Sequence, residues 1–342
     1  MRTAQGKKQI ISNVVPHAKA KATEIIVNTD EKEISNQRVA VIGAGNIGRA
    51  IALIFAAAGH TVRICELEAG ARNQALERIT ASIADLREFG LVRVEPAEIL
   101  SRISVDGDLG DTVRDATYIQ ECVPEDLQLK QKLFRELAQL APAAAVLASS
   151  SSAIPASHFA AELATRERCL VAHPGNPPTL LRVVEVVPAP FTDSDVVDRA
   201  CATLRSAGLA PVALKKEVTG FAFNRLQGAV LREAYCLVRD GVVSVEDVDT
   251  IMRDGLGLRW AVVGPFETAD LNRRGGIKAH AEIMGPAYAA MGAERGQNDP
   301  WTPELIEKVD RERRDLVPIE QWEERVRWRD RQIMKLLVSQ RN

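Results

Sequence analysis

Short runs of apolar, largely β-branched residues punctuate the first two thirds of the chain. They lie at 38–42 (RVAVI), 61–65 (TVRIC), 145–148 (AVLA), 169–173 (CLVAH) and 182–188 (RVVEVVP). Runs this short and this rich in Val and Ile read as buried strands. Between them lie longer stretches with apolar positions at helical spacing, notably 46–58 and 126–140. Strands alternating with helices predict parallel strands joined by crossover helices, an α/β architecture of the doubly wound, Rossmann type. After Thr219 the strand signals fade. Segments 221–240, 244–254 and 319–337 read as helices, with Ser244 and Asp247 spaced as a capping box. The pattern predicts an arm over 1–37, a Rossmann domain over 38–217 and an all-helical C-terminal domain over 218–342.

Charge narrows the partners. Forty-four basic residues against 46 acidic ones leave a net charge of -2, which makes no electrostatic case for nucleic acid or an anionic membrane. No apolar run is long enough to span a bilayer. Five cysteines with no C-x-x-C pair argue against a disulfide framework or a zinc site, so no metal is expected and a reducing, cytoplasmic setting is. In the arm, Arg2, Lys7, Lys8, Lys19 and Lys21 precede the first acid, Glu24, with no apolar block of the secretory kind. With one arginine among five basic residues, a flexible arm fits better than a mitochondrial presequence.

The stretch VAVIGAGNIGRAIALIF holds Gly43-x-Gly45-x-x-Gly48 between an apolar strand and a helix. Alone the pattern is weak. In this setting the glycines permit a tight turn, close approach of backbone to a pyrophosphate, and close helix–strand packing. Asn46 and Ile47 open the helix, whose free N–H groups and positive dipole end would face phosphates. The second strand ends at Glu66, where an acid can bond both hydroxyls of an adenosine ribose and repel a 2′-phosphate. The expected cofactor is NAD.

At 173–178 the chain reads HPGNPP, and Glu185 lies inside the apolar run RVVEVVP. A carboxylate within an apolar strand needs a partner, and a histidine at a neighbouring strand end is a natural one. The pair carries more information than either residue alone.

The GAGNIG turn, Glu66, QECVPEDLQLK (120–130), ASSSSA (148–153), HPGNPP with Glu185, and GFAFNRL (220–226) occur in the order seen in the L-3-hydroxyacyl-CoA dehydrogenase superfamily, which the chain resembles over about 38–340. DGLGLRWAVVGPFET (254–268) and the late WRD (328–330) are most similar to its L-gulonate 3-dehydrogenase, or lambda-crystallin, branch. The resemblance implies that His173 is the general base and that Glu185 orients it. It implies that Ser149 and Asn224 surround the reacting oxygen, that Asn176 lies near cofactor or substrate, and that Glu125 and Lys130 contact the cofactor. It also implies a homodimer built through the helical domain. Gly175 stands where a bulkier residue is expected, which would enlarge or loosen the pocket.

The substrate is the open question. Segment 67–103, where fatty-acid members hold coenzyme A, contains six acids, five arginines and no lysine, a poor cradle for a polyphosphorylated ligand. A small hydroxy acid would need one cation for its carboxylate, and Arg259 in DGLGLRW is the candidate. The expected reaction is NAD-dependent oxidation of the 3-hydroxyl of a small acid, with L-gulonate first. The alternatives are a 3-hydroxyacyl-CoA, carnitine, or a crystallin-like structural or NAD-binding role without catalysis. That last role is disfavoured by the presence together of His173, Glu185, Ser149 and Asn224.

Overall fold

The computed structural model describes residues 36–261, 263–272, 276–295, 304 and 318–339. The expected N-terminal arm falls outside them, apart from Asn36 and Gln37. Eight strands form one sheet: β1 (Arg38–Ile42), β2 (Thr61–Cys65), β3 (Ile103–Asp106), β4 (Tyr118–Glu121), β5 (Val146–Ser149), β6 (Cys169–Pro174), β7 (Val183–Pro188) and β8 (Ala210–Ala213). Their order is β3-β2-β1-β4-β5-β6-β7-β8. Because β1 pairs with both β2 and β4, the winding reverses there, and this opens the crevice where doubly wound sheets hold ligands.

The sheet departs from the expected parallel pattern at one pair. β6 and β7 run antiparallel, because the intervening segment 175–182 is shorter than the dozen or so residues a parallel crossover needs. Three strands carry no apolar run that would have announced them. β3 is a half-exposed edge, β8 is an exposed edge containing Pro211, and β4 reads YIQE with its glutamine and glutamate both buried.

Helices cover both faces. On one side α1 (Asn46–Ala57), α2 (Ala69–Glu88), α3 (Pro96–Ser101) and, beyond β7, α7 (Ser194–Ser206) pack with Val39 and Val41. On the other, α4 (Leu109–Val113), α5 (Leu127–Leu140) and α6 (Ala156–Ala160) pack with Ala40 and Ile42. Successive β1 residues therefore serve opposite cores, which is why the strand is apolar throughout.

From Phe223 onward the described elements are helical: α8 (Phe223–Arg239), α9 (Val245–Thr250), a π-helical turn (Ile251–Leu256), α10 (Gly257–Trp260), α11 (Pro265–Leu271), α12 (Gly276–Arg295) and α13 (Trp322–Ser339). The Ser244–Asp247 capping box is present at the start of α9. α13 folds back onto the sheet domain. Met334 is buried in the α1–α2 core, and Arg331 pairs with Glu88 while its guanidinium lies 5.1 Å from the Phe89 ring. No described helix is long and apolar enough to cross a membrane.

Candidate active site

The β1–α1 turn gives each glycine a separate reason. Gly43 has φ +103°, donates its N–H to the Cys65 carbonyl at 2.8 Å, and would drive a Cβ into the Cys122 carbonyl. A Cβ on Gly48 would overlap the Gly43 carbonyl, so helix and turn pack backbone to backbone. Above Gly45, the uncapped start of α1, nothing lies within 4 Å. Arg49 braces the turn by donating to the Ala44 carbonyl at 2.5 Å and to Asn46 Oδ1 at 2.7 Å. Ile47 packs against the core, which leaves its backbone N–H as the group that can face a phosphate.

Glu66 accepts from Ala44 N at 2.8 Å and Glu68 N at 3.0 Å. A carboxylate offers about four lone-pair sites, so room remains for ribose hydroxyls. A cavity of about 610 Å³ opens beside it, lined among others by Gly45, Glu66, Leu67, Val123 and Leu129. Burial pushes the Cys65 thiol up to about 11 and the Cys122 thiol to about 12, so both line the cavity as neutral groups. Open backbone over Gly45, an uncapped helix end and an acid beside an apolar slot fit a dinucleotide.

At the other end of the crevice, the antiparallel β6–β7 pair sets His173 directly opposite Glu185. His173 Nδ1 lies 2.9 Å from Glu185 Oε2, and both residues are buried. Glu185 Oε1 accepts from Ala222 N at 2.8 Å and Phe223 N at 2.9 Å. With the carboxylate held by these donors, Nδ1 carries the ring proton, and Nε2 has no hydrogen-bond partner among the described residues. Phe221 and Phe223 flank the imidazole, with ring centroids 5.9 and 6.2 Å away. Asn224 follows directly on α8 and donates to the Ser152 carbonyl at 2.7 Å. Base, orienting acid, amide and serine loop thus form one connected set.

Two of the expected site residues are held in a buried network. Ser149 is fully buried at the end of β5, donates to Glu121 Oε2 at 2.5 Å and accepts from Ser151 N at 3.1 Å. Its hydroxyl proton is directed at Glu121. Lys130 is 1% exposed, with Nζ 2.8 Å from both Glu121 oxygens and 3.5 Å from Glu125. It closes a buried ion pair with Glu121. Burial pushes Glu121 above the usual carboxylate range, and Lys130 opposes the shift.

Glu125 Oε1 accepts from the Ser151 hydroxyl at 2.6 Å and from the N–H groups of Ser152, Ala153 and Ile154. Burial alone would raise its pKa, but these donors, Ser151 foremost, hold it below the ordinary value. The sequence did not single out Ser152. It is exposed, its carbonyl accepts from Asn224, and its hydroxyl has no partner among the described residues. Only knowing where β5 ends could have singled it out.

Gly175 does not enlarge the pocket. A Cβ there would meet Leu181 Cβ at 3.0 Å, so Leu181 already fills the space. Asn176 is exposed at the tip of the turn and makes no hydrogen bond among the described residues. Arg259 is exposed on α10, and no described contact brings it to His173.

Both parts of the chain match known proteins. The model of the 3-hydroxyacyl-CoA dehydrogenase NAD-binding domain matches residues 38–218, and that of the C-terminal domain matches 220–315. A lambda-crystallin homolog of Bos taurus is 44% identical over 267 residues, covering 75% of this chain and 83% of its own. An L-carnitine dehydrogenase of Streptomyces griseus is 35% identical over 282 residues, covering 82% and 81%. Among solved structures, 5-formyl-3-hydroxy-2-methylpyridine 4-carboxylic acid 5-dehydrogenase, an NAD+-dependent dismutase, superposes with a TM-score of 0.77 at 27% identity, over 90% of this chain and all of that one.

Proposed function

We propose that this chain, which belongs to the 3-hydroxyacyl-CoA dehydrogenase family and is an NAD-dependent dehydrogenase, oxidises the 3-hydroxyl of a small hydroxy acid, with L-gulonate the leading substrate. The observation that carries the chemistry is the His173–Glu185 pair, with Nδ1 fixed on the carboxylate. His173 Nε2 takes the hydroxyl proton as the C–H bond breaks. Glu185 holds the tautomer and stabilises the imidazolium that forms. The Ser152 hydroxyl and the second N–H of the Asn224 amide are the donors for the developing carbonyl oxygen. NAD, when bound, supplies the acceptor for the hydride.

The commitment of the arginines in 67–103 supports a small acid over a thioester. Arg72 bonds the Glu66 carbonyl, Arg78 bonds Gln74, Arg87 bonds the Val94 carbonyl and Glu95, and Arg102 bonds the Ala56 carbonyl and Glu98. These four guanidinium groups serve the fold, where a polyphosphate cradle would need them free. Two relatives act on carboxylates by name, L-carnitine and a pyridine carboxylic acid. Arg259, exposed and in no described ion pair, is the proposed carboxylate clamp. Two copies are proposed to pair through the helical domain.

The test compares kcat/KM for L-gulonate, L-carnitine, 3-hydroxybutyrate and 3-hydroxybutyryl-CoA, with His173→Gln, Glu185→Gln and Arg259→Ala beside wild type. A small acid should lead. His173→Gln should abolish turnover while NAD still binds, and Glu185→Gln should lose less. A thioester ahead by more than about tenfold overturns the small-acid reading, since tenfold is a clear difference in transition-state binding.

A further inference from the structure

Phe221 is the one residue other than glycine with positive φ among those described, at 49°, and it follows Gly220 at +76°. A bulky residue in the left-handed region persists only where its surroundings over-determine it. Two features do so here. The Phe221 ring is fully buried, packed into the core that holds Val171 and Phe159, with its centroid 5.9 Å from the His173 ring. The turn it makes delivers the next two backbone N–H groups, of Ala222 and Phe223, to one oxygen of Glu185. Ala222 precedes α8 and has no side-chain cap of its own. A carboxylate from β7, far away in sequence, therefore takes the place of a local cap.

We propose that Phe221 is a positioning residue for the base: its buried ring anchors the left-handed turn, and the turn aims two N–H groups that hold the Glu185 carboxyl group in line with His173 Nδ1. The inference rests on His173 being the base.

The experiment measures kcat, KM and NAD affinity for wild type, Phe221→Ala, Phe221→Leu, Glu185→Gln, the Phe221→Ala/Glu185→Gln double variant and His173→Gln, with whichever small acid wild type turns over best. Phe221→Ala should lower kcat about tenfold or more while KM and NAD affinity stay within about twofold, because the group it serves acts on the chemical step. Leucine keeps the buried bulk, so Phe221→Leu should recover most of the loss. The double variant should be no slower than Glu185→Gln alone, since both changes act through one carboxylate. Wild-type kcat in Phe221→Ala overturns the proposal. So do losses that multiply in the double variant, or losses of kcat and NAD affinity that run in parallel in both Phe221 variants. If His173→Gln is inactive and Phe221→Ala is normal, this inference alone falls. Turnover retained in His173→Gln removes the base assignment itself.

Discussion

Four consecutive serines, Ser149 to Ser152, look alike in the sequence and differ in what they touch. The apolar pattern ends β5 at residue 148, which would leave Ser149 as the first residue of a turn. The strand runs one residue further, so Ser149 enters the sheet beside Glu121. A run of identical residues has no periodicity from which to tell its members apart, and the strand end decides instead. Truncating each hydroxyl should separate the two roles. Ser149→Ala should cost about 1–3 kcal/mol of stability, read from denaturant unfolding, by leaving a buried acceptor under-satisfied. Ser152→Ala should lower kcat by about tenfold or more with unchanged unfolding, as loss of a donor to a developing oxyanion does. The reverse result would return the role to Ser149. His173 and Glu185 were legible because a polar residue inside an apolar strand demands a partner. The register that joins them was not legible, since it depends on the antiparallel turn.

At the scale of elements, β4 hid because its polar residues are satisfied inside the fold. Gln120 donates to Ser150 Oγ and the Ala172 carbonyl and accepts from Tyr118, while Glu121 is closed by Lys130 from α5. Hydropathy sees four residues of mixed character, whereas the structure has a strand buried on both faces. Lys130→Met should cost about 3–5 kcal/mol, because it strands Glu121 as a buried charge, and Glu121→Leu together with Lys130→Met should recover a large share. Equal stability of single and double variants, measured by urea unfolding, would show that the pair does not clamp α5 to the sheet.

A second junction is sensitive to pH. His60 Nδ1 accepts from Gln37 N at 3.2 Å, and Nε2 lies 3.0 Å from Ser206 Oγ, tying the start of β1 and the end of α7 to the α1–β2 turn. Burial lowers the His60 pKa below 6.5, with Arg102 adding to the effect and Ser206 opposing it. The unfolded chain therefore binds the extra proton first. Stability is full above about 6.5 and falls as pH drops from there toward the folded value. Thermal melts from pH 7.5 to 5.5 should show this decline in wild type and a smaller one in His60→Gln; parallel curves would count against it.

Across the whole molecule, the helical part exposes more apolar surface than the sheet domain does. Leu226 on α8 is 67% exposed, Phe266 on α11 81% and Tyr288 on α12 55%, and exposed apolar side chains of this size are what the proposed dimer would cover. Light scattering at micromolar concentration should give twice 37.3 kDa, and Leu226→Glu with Phe266→Glu should shift the mass toward one chain. A single-chain mass for wild type would reject the dimer. Helical periodicity marked an apolar face over 221–240, which includes Leu226, but could not say whether a core or a second copy covers it, and it did not mark the helices of Phe266 and Tyr288. Nor did it reveal that α13 turns back: its Ile333, Met334 and Val338 pack with the core of the sheet domain, and no local pattern names a distant partner.

That return has a consequence for synthesis. Domains generally fold in order as they leave the ribosome, yet the Arg331–Glu88 contact joins residues 243 positions apart, and Met334 supplies part of the core that α1 and α2 share. The first domain to emerge therefore stays open on one flank while nearly all the rest of the chain is translated. For that interval the apolar surface beside Leu86 and Leu180, where Met334 comes to lie, waits for the last helix of the chain.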